Sequence, residues 1–280
     1  YNTVDSVVVG NFVGKEALAA VGSVAPVVNM LIGFFNGFAT GAGVIISRYY
    51  GAQQKENVHI AVQTTIAMTI LMSVVLSICG VLLTPALLRM MKTPEDVIAH
   101  SSEYLRIYFA GLSGLLLYNM GAGILRAVGD TRRPLYFLIF SAVTNTVLDL
   151  LFVTVFHMGV AGVAIATILA QFASAVLVMV VLTRSTSDYR IVWRGMRLNR
   201  KMFGSICRLG FPAAVQLAVT SFSNIFVQSY INRFGADCMA GWTSHNKIDS
   251  FVLLPIMTIS LAVTTFVGQN LGAGDQSRAR

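Results

Sequence analysis

Residues Pro134 to Phe156 read PLYFLIFSAVTNTVLDLLFVTVF. The run is apolar over more than the roughly 20 residues a helix needs to cross a bilayer. Arg132 and Arg133 stand before it, His157 stands after it, and Asp149 is its one charge. A soluble core does not require so long an apolar run, so the segment reads as a membrane span. A charge near the bilayer centre costs about 2.5–3.5 kcal/mol on insertion scales. Asp149 is therefore expected to face a protein cavity on an ion or proton path, the bland alternative being a carboxyl that packs one helix on another. Asn145 lies one helical turn earlier and shares its face.

Similar runs fill the rest of the chain. Of 280 residues, 55% are hydrophobic and 11% charged, with mean hydropathy +0.71, against about 25% charged in soluble domains. The expected fold class is an all-α, polytopic membrane bundle. Val4–Val13 is too short to span and reads as the outer half of a first helix. Further helices are expected over Ala17–Tyr49, Val58–Leu88, Ser102–Val128, Pro134–Phe156, Val160–Leu182, Met202–Phe234 and Ala240–Leu271. Asp275–Arg280 reads as a loop leading to another helix, and the chain reads as truncated at both ends.

The net charge of +8 does not point to nucleic acid, because the bases sit in connections and not in a stripe interleaved with aromatics. Arg48 and Lys55 follow the second helix, and Arg126, Arg132 and Arg133 follow the fourth. Arg184, Arg190, Arg194, Arg197, Arg200, Lys201 and Arg208 follow the sixth, and Arg278 and Arg280 the eighth. These connections share one side, which the positive-inside rule makes cytoplasmic. Arg184 to Lys201 is the one long polar connection, and it divides the chain. Residues 1–183 form an amino-terminal six-helix lobe with an incomplete first helix, 184–200 a basic cytoplasmic linker, and 201–280 the first two helices of a second lobe.

An internal repeat fits that division. A shift of 221 residues places Asn11-x-x-Gly14 on Asn232-x-x-Gly235, Ala19 on Ala240, Ser23 on Ser244, and Gly51-Ala52 on Gly272-Ala273. Parallel lobes related by an axis along the membrane normal would place a substrate path between them.

Asp5 is the second acid inside an apolar segment. Thr167 falls on the sixth helix at a depth comparable to Asp149. Carboxylate, amide carbonyl and hydroxyl are hard oxygen donors that suit Na⁺. A desolvated carboxyl can equally carry a proton, and plain interhelical hydrogen bonding is the alternative for Asn145 and Thr167. Gly33, Gly37 and Gly41 at four-residue spacing predict close helix packing. Pro26, Pro212 and Pro255 predict kinks. Lys247 and Asp249 read as interfacial or as a cavity pair. Cys79, Cys207 and Cys238 match no metal or CxxC spacing, and His59, His100, His157 and His245 form no cluster. Gly111-Leu112-Ser113-Gly114 fits the GxSG pattern of intramembrane serine proteases, yet no later helix core offers Ser113 a His base.

Three stretches carry a resemblance. Asn2-Thr3-Val4-Asp5-Ser6-Val7-Val8-Val9-Gly10 and Gly14-Lys15-Glu16-Ala17-Leu18-Ala19-Ala20-Val21-Gly22 are two, and Leu125-Arg126-Ala127-Val128-Gly129-Asp130-Thr131-Arg132-Arg133-Pro134 is the most specific. The chain resembles the prokaryotic MATE (multidrug and toxic compound extrusion) transporters over nearly all its length. The resemblance implies two six-helix lobes, the first nearly complete here and the second partial. It implies a Na⁺ or H⁺ site at Asp5, Asn145, Asp149 and Thr167, and no other metal or cofactor. Asn29, Asn36, Gln216 and Asn224 are the candidates for lining a substrate cavity. Where some members carry a seventh-helix Glu, this chain offers Gln216, Thr220 and Asn224. The implied protein is a multi-pass, plasma-membrane antiporter, expected as a monomer, that exports organic and often cationic compounds by alternating access. A lipid-linked oligosaccharide flippase is the alternative, though it should line its cavity with bases. The intramembrane protease is a distant third.

Overall fold

The computed structural model describes residues 2–91, 95–231 and 236–279. The described residues form helices α1 (Asn2–Phe12), α2 (Lys15–Gly51), α3 (Lys55–Met90), α4 (Glu95–Ala110), α5 (Leu112–Ala127), α6 (Arg132–Leu150), α7 (Gly159–Arg184), α8 (Arg200–Ile231), α9 (Ala236–Gly272) and α10 (Gln276–Ala279). Six of these are single spans by length and apolarity, and α4 with α5 makes a seventh that is bent by 48°. Membrane-depth hydroxyls bond back into their own helices, as Thr65 does to the Ala61 carbonyl and Thr69 to that of Thr65. That satisfies polar groups where no water can. Leu71, Ile78 and Leu82 form an exposed apolar stripe along α3, as a lipid-facing surface requires.

The fourth expected helix departs from its reading. It begins seven residues earlier, at Glu95, and breaks at Gly111. A Cβ at Gly111 would overlap the Ile168 side chain, and Gly114 lies against Phe172. The two glycines of the GxSG pattern thus let α4 and α5 approach α7. The fifth helix ends in a π-turn over Leu151–Val155, and Gln276 already starts helix α10 where a loop was expected. Helices α8 and α9 run through Pro212 and Pro255 as single elements.

The repeat has a structural counterpart. Helices α2 and α9 are both 37 residues long, and both of their bounds differ by the same 221 residues. Their ends share one capping pattern. Ala52, Gln53 and Gln54 N–H donate to the Arg48, Tyr50 and Tyr49 carbonyls, and Ala273, Gly274 and Asp275 donate to Gln269, Leu271 and Asn270. The third residue of each set reaches back five positions, with a left-handed residue before it, Gln53 at φ 58° or Gly274 at φ 80°. This is the Schellman geometry. Asn232 to Gly235 lie outside the described residues, as do the side chains of Ala19, Ser23, Ala240 and Ser244.

The repeats meet at the basic end. A Cβ on Gly51 would strike the Gln269 carbonyl, and one on Gly272 would strike that of Arg48. The 221-residue shift exchanges those two contacts, and Gly268 lies against Ser47, its own counterpart. Such reciprocal pairing is what a two-fold interface produces. Nearby, Gly37 and Gly41 of α2 take the backbone of Ala214 and Gly210 on α8, the packing their spacing predicts. The segment between α7 and α8 is also held down. Ile191 is buried, its N–H bonds the Leu182 carbonyl, and Gln63 donates to the Val192 carbonyl at 3.1 Å.

Candidate functional site

Helix α6 is built inside out. Its buried residues are Pro134, Ser141, Asn145 and Asp149, while Leu135, Ile139, Val143 and Val147 are exposed. Three polar side chains at four-residue intervals make one stripe, and lipid takes the apolar remainder. Helix α7 answers with buried Thr167, Gln171 and Ser174. The two run antiparallel, so that Ser141 Oγ donates to the Ala170 carbonyl at 2.6 Å and Asn145 Nδ2 donates to Thr167 Oγ1 at 3.4 Å. Helix α1 closes the group by bringing in Asp5, which is fully buried.

Thr167 is the junction. Its hydroxyl lies 3.3 Å from Asp5 Oδ2 and 3.0 Å from the Val163 carbonyl. One hydroxyl proton serves one acceptor at a time, so Thr167 can bond either Asp5 or its own helix. Asp149 lies close enough to Asp5 and Asn145 to interact with both. Even so, neither Asp149 oxygen receives a well-aligned hydrogen bond among the described residues, nor do Asp5 Oδ1 and Asn145 Oδ1. Four buried oxygens without donors are costly unless a cation or proton meets them. Their hardness fits Na⁺, and two adjacent carboxyls fit a shared proton.

The four residues proposed from sequence as an ion site are thus brought to one place, in the half of the bundle away from the basic end. Sequence reasoning passed over their neighbours Tyr104 and Tyr108. These buried rings stack at 6.2 Å, and Tyr104 faces both carboxyls. It also passed over Gln171, which contacts Tyr108. Spacing was the available signal, since the tyrosines are four apart and Gln171 follows Thr167 by four.

The substrate-cavity candidates separate. Asn36 lines a cavity of about 320 Å³ between α2, α5 and α9, together with Thr40, Asn119, Arg126, Thr264 and Thr265. Asn29, Gln216 and Asn224 are exposed and do not join it. The Lys247 side chain lies outside the described residues, whereas Asp249 is exposed. Cys79 and Cys207 are free thiols, and the Cys238 side chain lies outside the described set.

Comparison with known proteins then decides the family. The MatE family profile matches residues 1–151 and 212–280. The chain belongs to the MatE family. Among curated relatives it is 33% identical to "Probable multidrug resistance protein YoeA" of Bacillus subtilis (strain 168), over 97% of this chain and 60% of that protein. It is 31% identical to "Probable multidrug resistance protein YpnP" of the same organism, over 99% of this chain and 62% of the other. It superposes with TM-score 0.93 and 27% identity on "MATE in the bent conformation", covering all of this chain and 62% of that one. With a MATE family transporter in its outward-facing conformation the TM-score is 0.91 at 27% identity, covering 100% and 62%. With an inward-facing one it is 0.80 at 26%, covering 99% and 64%. The chain therefore spans about 60% of the length of the relatives it matches. A MatE chain is a multi-pass membrane protein with two-lobe architecture, from a family of transporters and not of enzymes.

Proposed function

We propose that the protein containing this MatE chain exports small organic compounds in exchange for an inward-moving cation, Na⁺ or H⁺. The observation that carries the reading is the group Asp5, Asn145, Asp149 and Thr167, with four buried oxygens that lack donors. Two neighbouring carboxyls repel when both are ionised, so a cation or proton between them stabilises the arrangement that draws α1 against α6 and α7. The Thr167 hydroxyl supplies a low-cost adjustment, because it can leave Asp5 for the Val163 carbonyl as the charge there changes.

The chain is closed at the basic end by its glycine contacts, and it resembles an outward-facing relative more closely than an inward-facing one. In this state the ion site would face the outside. Ion binding there would favour release of the exported compound, and by linkage the compound would favour ion release inside. We further propose residues 1–183 and 201–280 as the moving lobes, joined by 184–200.

The test uses full-length protein in proteoliposomes loaded with ethidium. A Na⁺ gradient and a pH gradient are imposed separately, and dye movement is followed in wild type and Asp149→Asn. Gradient-driven movement that disappears in the variant is expected, and the gradient that works names the ion. Equal movement in both proteins would remove Asp149 from the coupling path.

A further inference from the structure

The proposed ion site does not account for Arg126, a charged side chain inside the fold. Arg126 reaches from the last turn of α5 into the cavity between α2, α5 and α9, immediately outside the Ser47–Gly268 contact. Among the described residues no carboxylate lines that cavity, no acid pairs with Arg126, and its Nε is buried without a hydrogen-bond acceptor.

An arginine at a helix end ordinarily bonds the final carbonyls, but those of α5 already have donors. Val128 N–H serves Ile124 O, Asp130 N–H serves Leu125 O, and Gly129 N–H serves Arg126 O. Gln269 Nε2, reaching from α9, takes Ala127 O at 2.8 Å. The guanidinium is thus released from capping and left to the cavity.

The neutral lining has the opposite polarity. The Thr40 hydroxyl donates to Asn36 O, the Thr264 hydroxyl to Ser260 O, and Asn119 Nδ2 to Leu115 O. The Thr40 and Thr264 hydroxyls thus present oxygen lone pairs to the cavity, while Asn119 keeps a second N–H and Asn36 adds an amide of its own. One bidentate cationic donor is therefore set among neutral polar groups, with the two threonine hydroxyls as acceptors. A complementary ligand carries an anionic group for Arg126 and hydroxyl or N–H donors of its own for the rest.

We propose that this cavity binds a hydroxylated organic anion, its carboxylate or phosphate on Arg126 and its hydroxyls on Thr40, Asn119 and Thr264. The proposal extends the export reading above by naming a substrate class, one that differs from organic cations. Two sources carry this chemistry, a soluble sugar acid or phosphate and the headgroup of phosphatidylglycerol.

The experiment measures binding of radiolabelled gluconate to the purified full-length protein in phosphatidylcholine nanodiscs. Glucose, with matching hydroxyls and no charge, is the control. Gluconate is expected to bind and glucose not. Arg126→Gln should weaken gluconate by about tenfold or more, the scale of a lost charge-assisted pair. Arg126→Lys, which keeps the charge but not the bidentate fork, should recover part of the affinity lost in Arg126→Gln and guards against a folding defect. Adding phosphatidylglycerol separates the sources, since competition in wild type alone assigns the site to the lipid headgroup and no competition assigns it to the soluble anion. Absence of gluconate binding, equal binding of glucose, or equal affinity in wild type and Arg126→Gln would overturn the proposal. Asp149-dependent ethidium movement without gluconate binding would reject the anion site alone. Gluconate binding without gradient-driven movement of either gluconate or ethidium would reject the antiport reading alone.

Discussion

Two regions of this bundle are packed on opposite principles. At the basic end, α2 meets α8 and α9 through glycines whose missing side chains let backbone touch backbone. In the other half, α1, α6 and α7 enclose carboxylate and amide oxygens that no well-aligned donor satisfies among the described residues. The first region gains by dispersion and loses nothing to desolvation. The second bears a cost that a cation can remove. A seal built from shape opens only when helices move, whereas a site built from unmet charge responds to its ligand. On the function proposed above, the pairing of the two would give one part that resists and one that can be driven.

Substitutions that fill the seal should have the largest effect. Gly37→Leu in the full-length protein would place a side chain in the backbone of Ala214 and should cost about 3 kcal/mol or more. Disulfide trapping between Ser47→Cys and Gly268→Cys reads this directly. Efficient cross-linking in the parent and almost none with Gly37→Leu is expected, and unchanged yield would show that the seam tolerates bulk.

In the proposed ion site, Asp149→Asn should act with the opposite sign on stability. It removes one of two adjacent carboxyls and adds a donor beside Asp5, so thermal unfolding should shift up by about 1 kcal/mol at neutral pH. A loss of stability would mean that the two carboxyls are already compensated by a cation or proton. Thr167→Val is expected to be milder in function than Asp149→Asn. It removes the hydroxyl shared by Asp5, Asn145 and Val163. The ion concentration for half-maximal exchange should rise by about tenfold. An unchanged ion dependence would leave Thr167 as a packing residue.

The smallest effect belongs to the turn after α9. The Ser277 hydroxyl and the Arg278 N–H hold Asp275 below the usual carboxylate range. A depressed folded-state pKa contributes stability that is present above the unfolded value of about 3.9. That contribution is lost as pH falls through the folded value. Amide exchange at Arg278 should therefore quicken, relative to its intrinsic rate, when pH is lowered below about 4. An Asp275→Ala variant should show no such step, and a step that persists would have another source.

Legibility in the sequence followed distance along the chain. Ser141, Asn145 and Asp149 form their stripe by helical periodicity, so the polar face of α6 could be read directly. The repeat was visible at Gly51-Ala52 and Gly272-Ala273 because both pairs sit in the same capping geometry. Tyr104 was passed over because its role depends on α4 packing beside α7 and so bringing it to Asp5 and Asp149, which no local pattern encodes. The break at Gly111 was hidden for a similar reason, since the pressure that selects glycine comes from Ile168 on another helix. The linker read as plain polar chain, yet Ile191 and Val192 dock on α7 and α3.

The sequence by itself determined that this chain lives in a membrane, where its helices lie and which residues could hold an ion, because lipid forces each segment to declare its polarity. The tertiary structure decided that the helices close at the basic end and that Asp5 meets Thr167 across 162 positions. It also decided that Arg126 lines a cavity in which no acid stands among the described residues. Those outcomes depend on which surfaces find each other, and only the packed bundle brings together side chains that the chain keeps far apart.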